Sequence, residues 1–194
     1  MTQLTRADLY SLEDYARMRN DFRAKVMAHK RLRTLAIGPN LTLLFEDRIT
    51  MQYQVQEMLR AERIFEPEGI DEELAAYNPL IPDGRNLKAT LLIEFDDVAE
   101  RREALKRLVG IEDETWLCVE GHEKVFPIAD EDLERDNPEK TSAVHFLRFE
   151  FTDAMIRSLK EGARLSAGCE HREYTHTVDA VRKDLRDSLV GDFD

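Results

Sequence analysis

Apolar residues recur along the chain with two different periods. From Leu12 to about Lys30, the residues Leu12, Tyr15, Met18, Phe22, Val26 and His29 fall on roughly one face of a helix. Ser11 stands where an N-cap is wanted, and Glu13 and Asp14 follow where the helix dipole favours acids. Leu32–Ile37 and Leu41–Phe45 are short, largely apolar runs on either side of Gly38-Pro39-Asn40, which predicts a hairpin. Asp47 can cap a second helix that runs to Phe65, with Met51, Val55, Met58 and Leu59 in one sector. Ile49, Tyr53 and Ile64 make a weaker second apolar edge. Arg48 and Glu62 share the first sector but lie about 21 Å apart along the axis. Each is therefore expected to be partly buried and to have its own partner, an acid of the first helix for Arg48 and Arg31 or Arg33 for Glu62.

Glu66-Pro67-Glu68-Gly69 is a break, Asp71–Tyr77 a short helix, and residues 78–86 a turn-rich loop with two prolines. That loop reads as a rigid connector or as a cover over a site. Beyond it the pattern alternates: strand 87–95, helix 97–109, strands 116–120 and 124–128, an acidic loop 130–140, strand 143–151, a helix after Asp153, strand 163–168 and a closing helix 177–190. Strand-helix-strand-strand-helix-strand order predicts an α+β fold, mainly antiparallel, with a ferredoxin-like layout. One domain over 1–194 is expected. Its parts are a helix-hairpin-helix region at 1–66, an α+β core at 87–176 and the closing helix at 177–194.

Composition narrows the partners. The chain has 194 residues, 35% of them charged, with a formal net charge of −12. That balance disfavours nucleic acid and anionic membrane surfaces. No apolar run approaches a membrane span, and the N-terminus shows no apolar signal region. The two cysteines, Cys118 and Cys169, form no CxxC pair, which fits a reducing cytoplasm.

Motifs for nucleotide-binding loops, α/β-hydrolase nucleophiles and zincins are absent from the sequence. The richest candidate site is the polar flank of the 47–65 helix. Glu46, Gln52, Gln56, Glu57, Arg60 and Arg63 could bind an anion or small ligand there, or the same side chains could satisfy loop carbonyls or a twin subunit. Gln52 and Gln56 could pair across a two-fold axis, with Tyr53, Met58 and Arg60 beside them, so a homodimer through this helix is one expectation. The only dense run of soft ligands, Cys169 to His176, offers Cys169, His171 and His176 to a metal, or is a polar loop. No cofactor is predicted. His145 reads as a satisfied strand histidine.

The segments Gly38-Pro39-Asn40-Leu41-Thr42-Leu43-Leu44-Phe45-Glu46-Asp47-Arg48, Tyr53–Arg60, Tyr77–Gly84 and Glu139–Leu147 resemble a bacterial domain family of unknown function. Genes of that family often lie beside a rubrerythrin and an iron-sulfur oxidoreductase. The resemblance implies a cytoplasmic setting of peroxide or iron stress and no assigned reaction. Together with the acidic charge, it suggests an accessory protein for a redox partner. The rival expectation is a ligand-binding protein or small enzyme using the 46–63 polar face.

Overall fold

A computed structural model describes residues 3–131 and 139–194. The middle of the expected acidic loop, residues 132–138, lies outside the described residues. The mixed helix and antiparallel sheet architecture is as expected. The ferredoxin-like order is not what forms, because the strands divide between two sheets. One sheet has the order β1 (Thr34–Ile37), β2 (Leu41–Glu46), β3 (Asn86–Ile93), β7 (Val144–Glu150), β6 (Ile128–Ala129). The other has the order β5 (Lys124–Val125), β4 (Thr115–Val119), β8 (Leu165–His171), β9 (Tyr174–Val178). The strand expected at 124–128 is split between them: Val125 pairs with β4 and Ile128 with β7. Pro127, which has no N–H to give a ladder, sits at the transfer.

The inner faces of the two sheets share one core. Leu41, Leu43 and Phe45 of β2 enter it at alternate positions, as do Leu87, Ala89, Leu91 and Ile93 of β3. Leu117, Leu165 and Ala167 join from the second sheet. Three helices add to the same core: α4 (Val98–Arg107), α5 (Asp153–Lys160) and α6 (Lys183–Val190). The polar run at 169–176, expected as a loop, is the β8–β9 hairpin, so the closing helix begins later than expected, at Lys183.

Helix α1 (Leu12–Arg31) and helix α2 (Arg48–Glu62) form as the pattern predicts. Asp47 caps α2, its Oδ1 accepting from the N–H groups of Ile49 and Thr50 at 3.0 and 2.9 Å. The expected break at 66–69 is instead the start of α3 (Pro67–Tyr77), with the proline in its first turn. Both apolar edges of α2 are covered within the chain. Met51, Val55 and Leu59 pack with Leu4, Leu74 and Ile81, while Tyr53 packs with Tyr15, Phe22 and Val26 of α1. Among the described residues, no helix is long and apolar enough to cross a membrane.

Candidate functional site

The polar flank of α2 is occupied by the chain itself. Gln52 Nε2 donates to Asp8 O at 2.6 Å, and Gln56 Oε1 accepts from Tyr10 N at 2.6 Å. Glu57 takes a two-pronged bond from Arg19 at 2.7 and 2.6 Å and a third from Tyr15 OH at 2.6 Å. The Arg19 hydrogen bonds hold the Glu57 carboxyl below its usual range. Arg60 and Arg63 point to solvent. Five of the six residues expected to bind a ligand are therefore engaged within the chain or exposed: the backbone at Asp8 and Tyr10 takes the Gln52 and Gln56 amides, α1 takes Glu57, and Arg60 and Arg63 face solvent. The expectation for Glu62 is also corrected: it is exposed, and Arg33 turns elsewhere. Arg48 is partly buried and pairs at 2.6 Å with Asp8, which lies just ahead of α1.

Arg33 is almost fully buried and anchors the end of the chain. Its guanidinium bonds to Phe45 O at 3.0 Å, to Glu46 O at 3.2 Å and to the Asp192 carboxylate. Asp47 lies 3.5 Å from it and 2.5 Å from His29. This knot is structural and ties α1, β2 and the α2 cap to the C-terminal turn.

The metal expectation is not supported by the geometry. Among the described residues, no group of three His, Cys, Asp or Glu side chains is placed to hold an ion. Cys169 faces the core, and burial raises its thiol. Both ring nitrogens of His171 are in use, one 3.1 Å from Val109 O and the other accepting from Glu173 N at 3.3 Å. The ring of His176 packs on Tyr174, their centroids 4.5 Å apart. His145 is fully buried, with Asp130 Oδ2 2.6 Å from Nδ1 and Thr141 Oγ1 2.8 Å from Nε2, a satisfied histidine as expected.

Glu46 alone of the expected residues opens onto a cavity. Because β2 alternates, Leu41, Leu43 and Phe45 face the core while Glu46 faces the opposite side of the five-stranded sheet. The register places Glu46 opposite Lys88 of β3, and Lys88 opposite Arg148 of β7, so one row across three strands carries an acid and two bases. This row lines a cleft of about 440 Å³, closed on its other sides by Pro79, Leu80 and Asp83 of the 78–86 loop and by Phe146 and Glu131.

The charges in the cleft are unevenly satisfied. Arg148 makes a two-pronged bond with Glu131 at 2.7 and 2.6 Å and also holds Glu150. Each partner stabilises the other's charge, raising the arginine and lowering the Glu131 carboxyl. Lys88 donates one hydrogen to Pro79 O, and burial pulls its ammonium below the usual range. Glu46 is only 4% exposed. Its Oε1 accepts from Thr90 Oγ1 at 2.7 Å, while Oε2 is buried with no hydrogen-bond partner among the described residues. A buried carboxylate oxygen without a donor is costly, on the order of 1–3 kcal/mol or more.

Sequence reasoning missed Lys88, Thr90, Arg148 and Glu131. Lys88 and Arg148 are charged residues within apolar strands, a visible signal, but their meeting with Glu46 depends on strand register. Fold and cleft define a two-sheet α+β protein with a charged, half-enclosed cavity on the outer face of one sheet. The chain matches, over residues 3–193, the family described as Protein of unknown function (DUF3501), and it belongs to that family. It is similar to a novel protein of unknown function from Burkholderia pseudomallei K96243, whose crystal structure was determined at 1.90 Å. The two share 54% identity over 100% of each chain, with a TM-score of 0.95. No curated protein matches the chain.

Proposed function

We propose that the protein binds a small polar molecule in the cleft on the outer face of the five-stranded sheet. The observation that carries this reading is Glu46, whose buried Oε2 has no hydrogen-bond partner among the described residues, in the wall of a cavity of about 440 Å³. A cavity of that size falls in the usual range for small-ligand sites. The unpartnered position is an acceptor, so the ligand brings a donor, a hydroxyl or amino group, which the Glu46 carboxylate turns to meet. Lys88 keeps ammonium hydrogens for a carbonyl or carboxylate at the ligand's other end, whereas Arg148 is already engaged. Small hydroxy acids and amino acids have this pattern. A bare anion such as sulfate does not, because it would face Glu46 with like charge.

Titration of isotope-labelled protein with a panel of amino acids, hydroxy acids and inorganic anions tests the reading. Binders should shift amide signals of residues 46, 88–90 and 146–148. Glu46→Gln should weaken them more than tenfold, the effect of losing a charged acceptor. Shifts confined to other surfaces, or a Glu46→Gln variant that binds as well as the wild type, would sink it. The accessory role in a redox system implied by the resemblance is a separate proposal, supported by the net charge of −12. Co-purification with a rubrerythrin-type protein tests that one.

A further inference from the structure

The outer face of the five-stranded sheet does not end at the charged row of the cleft. Alternate residues of a strand share a face, so the strand register sets further rows beside Glu46, Lys88 and Arg148. The next row is Leu44, Thr90 and Phe146, and the one after it is Thr42, Leu92 and Val144. Outward positions of an antiparallel sheet with one solvated face are commonly polar. In these two rows all but the two threonines are apolar. Leu44, Leu92 and Phe146 are half-buried and Val144 is exposed, and none of them belongs to a hydrophobic cluster among the described residues. The threonine hydroxyls are already engaged, Thr90 donating to Glu46 and Thr42 to Glu94, each at 2.7 Å. Phe146 joins the two regions, because it also lines the cleft together with Pro79 and Leu80 of the 78–86 loop. The apolar rows are therefore continuous with the cleft.

Glu46 and Lys88 are partners on adjacent strands, with backbones about 5 Å apart. A head group that carries its donor and its carboxylate on one carbon is compact enough to reach both. The third substituent of that carbon is the part that can leave the charged row. About 7 Å along the strands it meets Leu44, Thr90 and Phe146. A polar substituent gains little there, whereas an apolar one takes both itself and these side chains out of water. We infer that the ligand is an α-amino or α-hydroxy acid with a large apolar side chain, which lies over Thr90 and Phe146 towards Leu92 and Val144. The inference rests on Glu46 and Lys88 holding the head group and adds the class of side chain.

The test titrates the full labelled chain with two unbranched series, the 2-amino acids from alanine to norleucine and the 2-hydroxy acids of the same lengths. Affinity should rise about fourfold for each added methylene. Amide shifts should spread from residues 46 and 88–90 to residues 42–44, 92 and 144 as the chain lengthens. Val144→Ser should leave the shortest acids unaffected and weaken the longest severalfold, without unfolding the chain, because Val144 is already exposed. Equal affinity along both series, with shifts still present at 46 and 88–90, overturns the inference and leaves the head-group site standing. So does a gain with length whose shifts run to residues 79–80 and not to 92 and 144, since the side chain would then lie under the loop. Absence of shifts at 46 and 88–90 with every acid overturns the cleft as a binding site, and this inference with it.

Discussion

At the scale of single residues, Arg33 shows how a buried charge is made tolerable. It has carboxylates on two sides, Asp192 and Asp47, and backbone carbonyls for the remaining hydrogens. Removing it leaves two buried acids facing each other. Arg33→Met should therefore cost roughly 3–5 kcal/mol, read from urea unfolding. The same knot makes stability depend on pH. Burial pushes the Asp192 carboxyl from 3.8 up to about 6, in spite of the attraction of Arg33. Between those values the folded chain holds a proton that the unfolded chain has released. The contribution of this group is thus greatest below pH ~4 and falls by roughly 3 kcal/mol as pH climbs past 6. In urea melts from pH 4 to 6.5, the balance between Asp192→Asn and wild type should move toward the variant as pH rises. A flat difference would mean that Asp192 is not perturbed. The partner of Arg33 was not legible in the sequence, because Asp192 lies at the far end of the chain. Glu62, the nearer acid by helical phase, points to water instead.

At the scale of elements, the clearest sequence signals were the ones held by local chemistry. Gly38 takes φ 70° at the turn between β1 and β2, and Asp47 caps α2 as its side chain suggests. Yet Gly38 is fixed by more than its turn. Tyr174 OH of β9 donates to Ile37 O at 2.8 Å and accepts from Asn40 N at 2.9 Å, clasping one hairpin to the other. A Cβ on Gly38 would lie 2.6 Å from both the His176 ring and the Tyr174 hydroxyl. Gly38→Ala should cost more than the ~1 kcal/mol of left-handed strain alone, and loosen β9 in hydrogen exchange. Arg63 is the opposite case, a non-glycine at φ 55° that ends α2: Arg63→Gly there should stabilise by up to about 1 kcal/mol. The β8–β9 hairpin was hidden by its own composition. Cys169, His171 and His176 read as a ligand cluster, although Leu165, Ala167, Cys169 and His171 alternate toward the buried face. The polarity of His171 is absorbed by backbone partners that only the folded chain supplies.

At the scale of the whole molecule, covering α2 on both edges by α1 and α3 removes the reason to expect a dimer there. Tyr53 is buried and the amides of Gln52 and Gln56 are engaged, so Tyr53→Ala with Arg60→Ala should lower stability and leave the sedimenting mass unchanged. The cleft is a property of the same scale. Glu46, Lys88 and Arg148 are brought into one row by pairing between strands distant in sequence, which no local pattern encodes. Only the 78–86 loop, read from its prolines and turn residues as a connector or a cover, hinted at it. A carboxylate oxygen left without a donor in such a place destabilises the empty protein, and a bound donor relieves it. Two consequences can be measured together. Glu46→Gln removes the buried charge and should raise the stability of the ligand-free chain by about 1–2 kcal/mol. For the wild type, a ligand at a hundred times its Kd should add about 2.7 kcal/mol by mass action, and the variant should gain much less at the same concentration. A Glu46→Gln chain that is less stable when empty and equally stabilised by ligand would make Glu46 a structural residue rather than the receptor of the cleft.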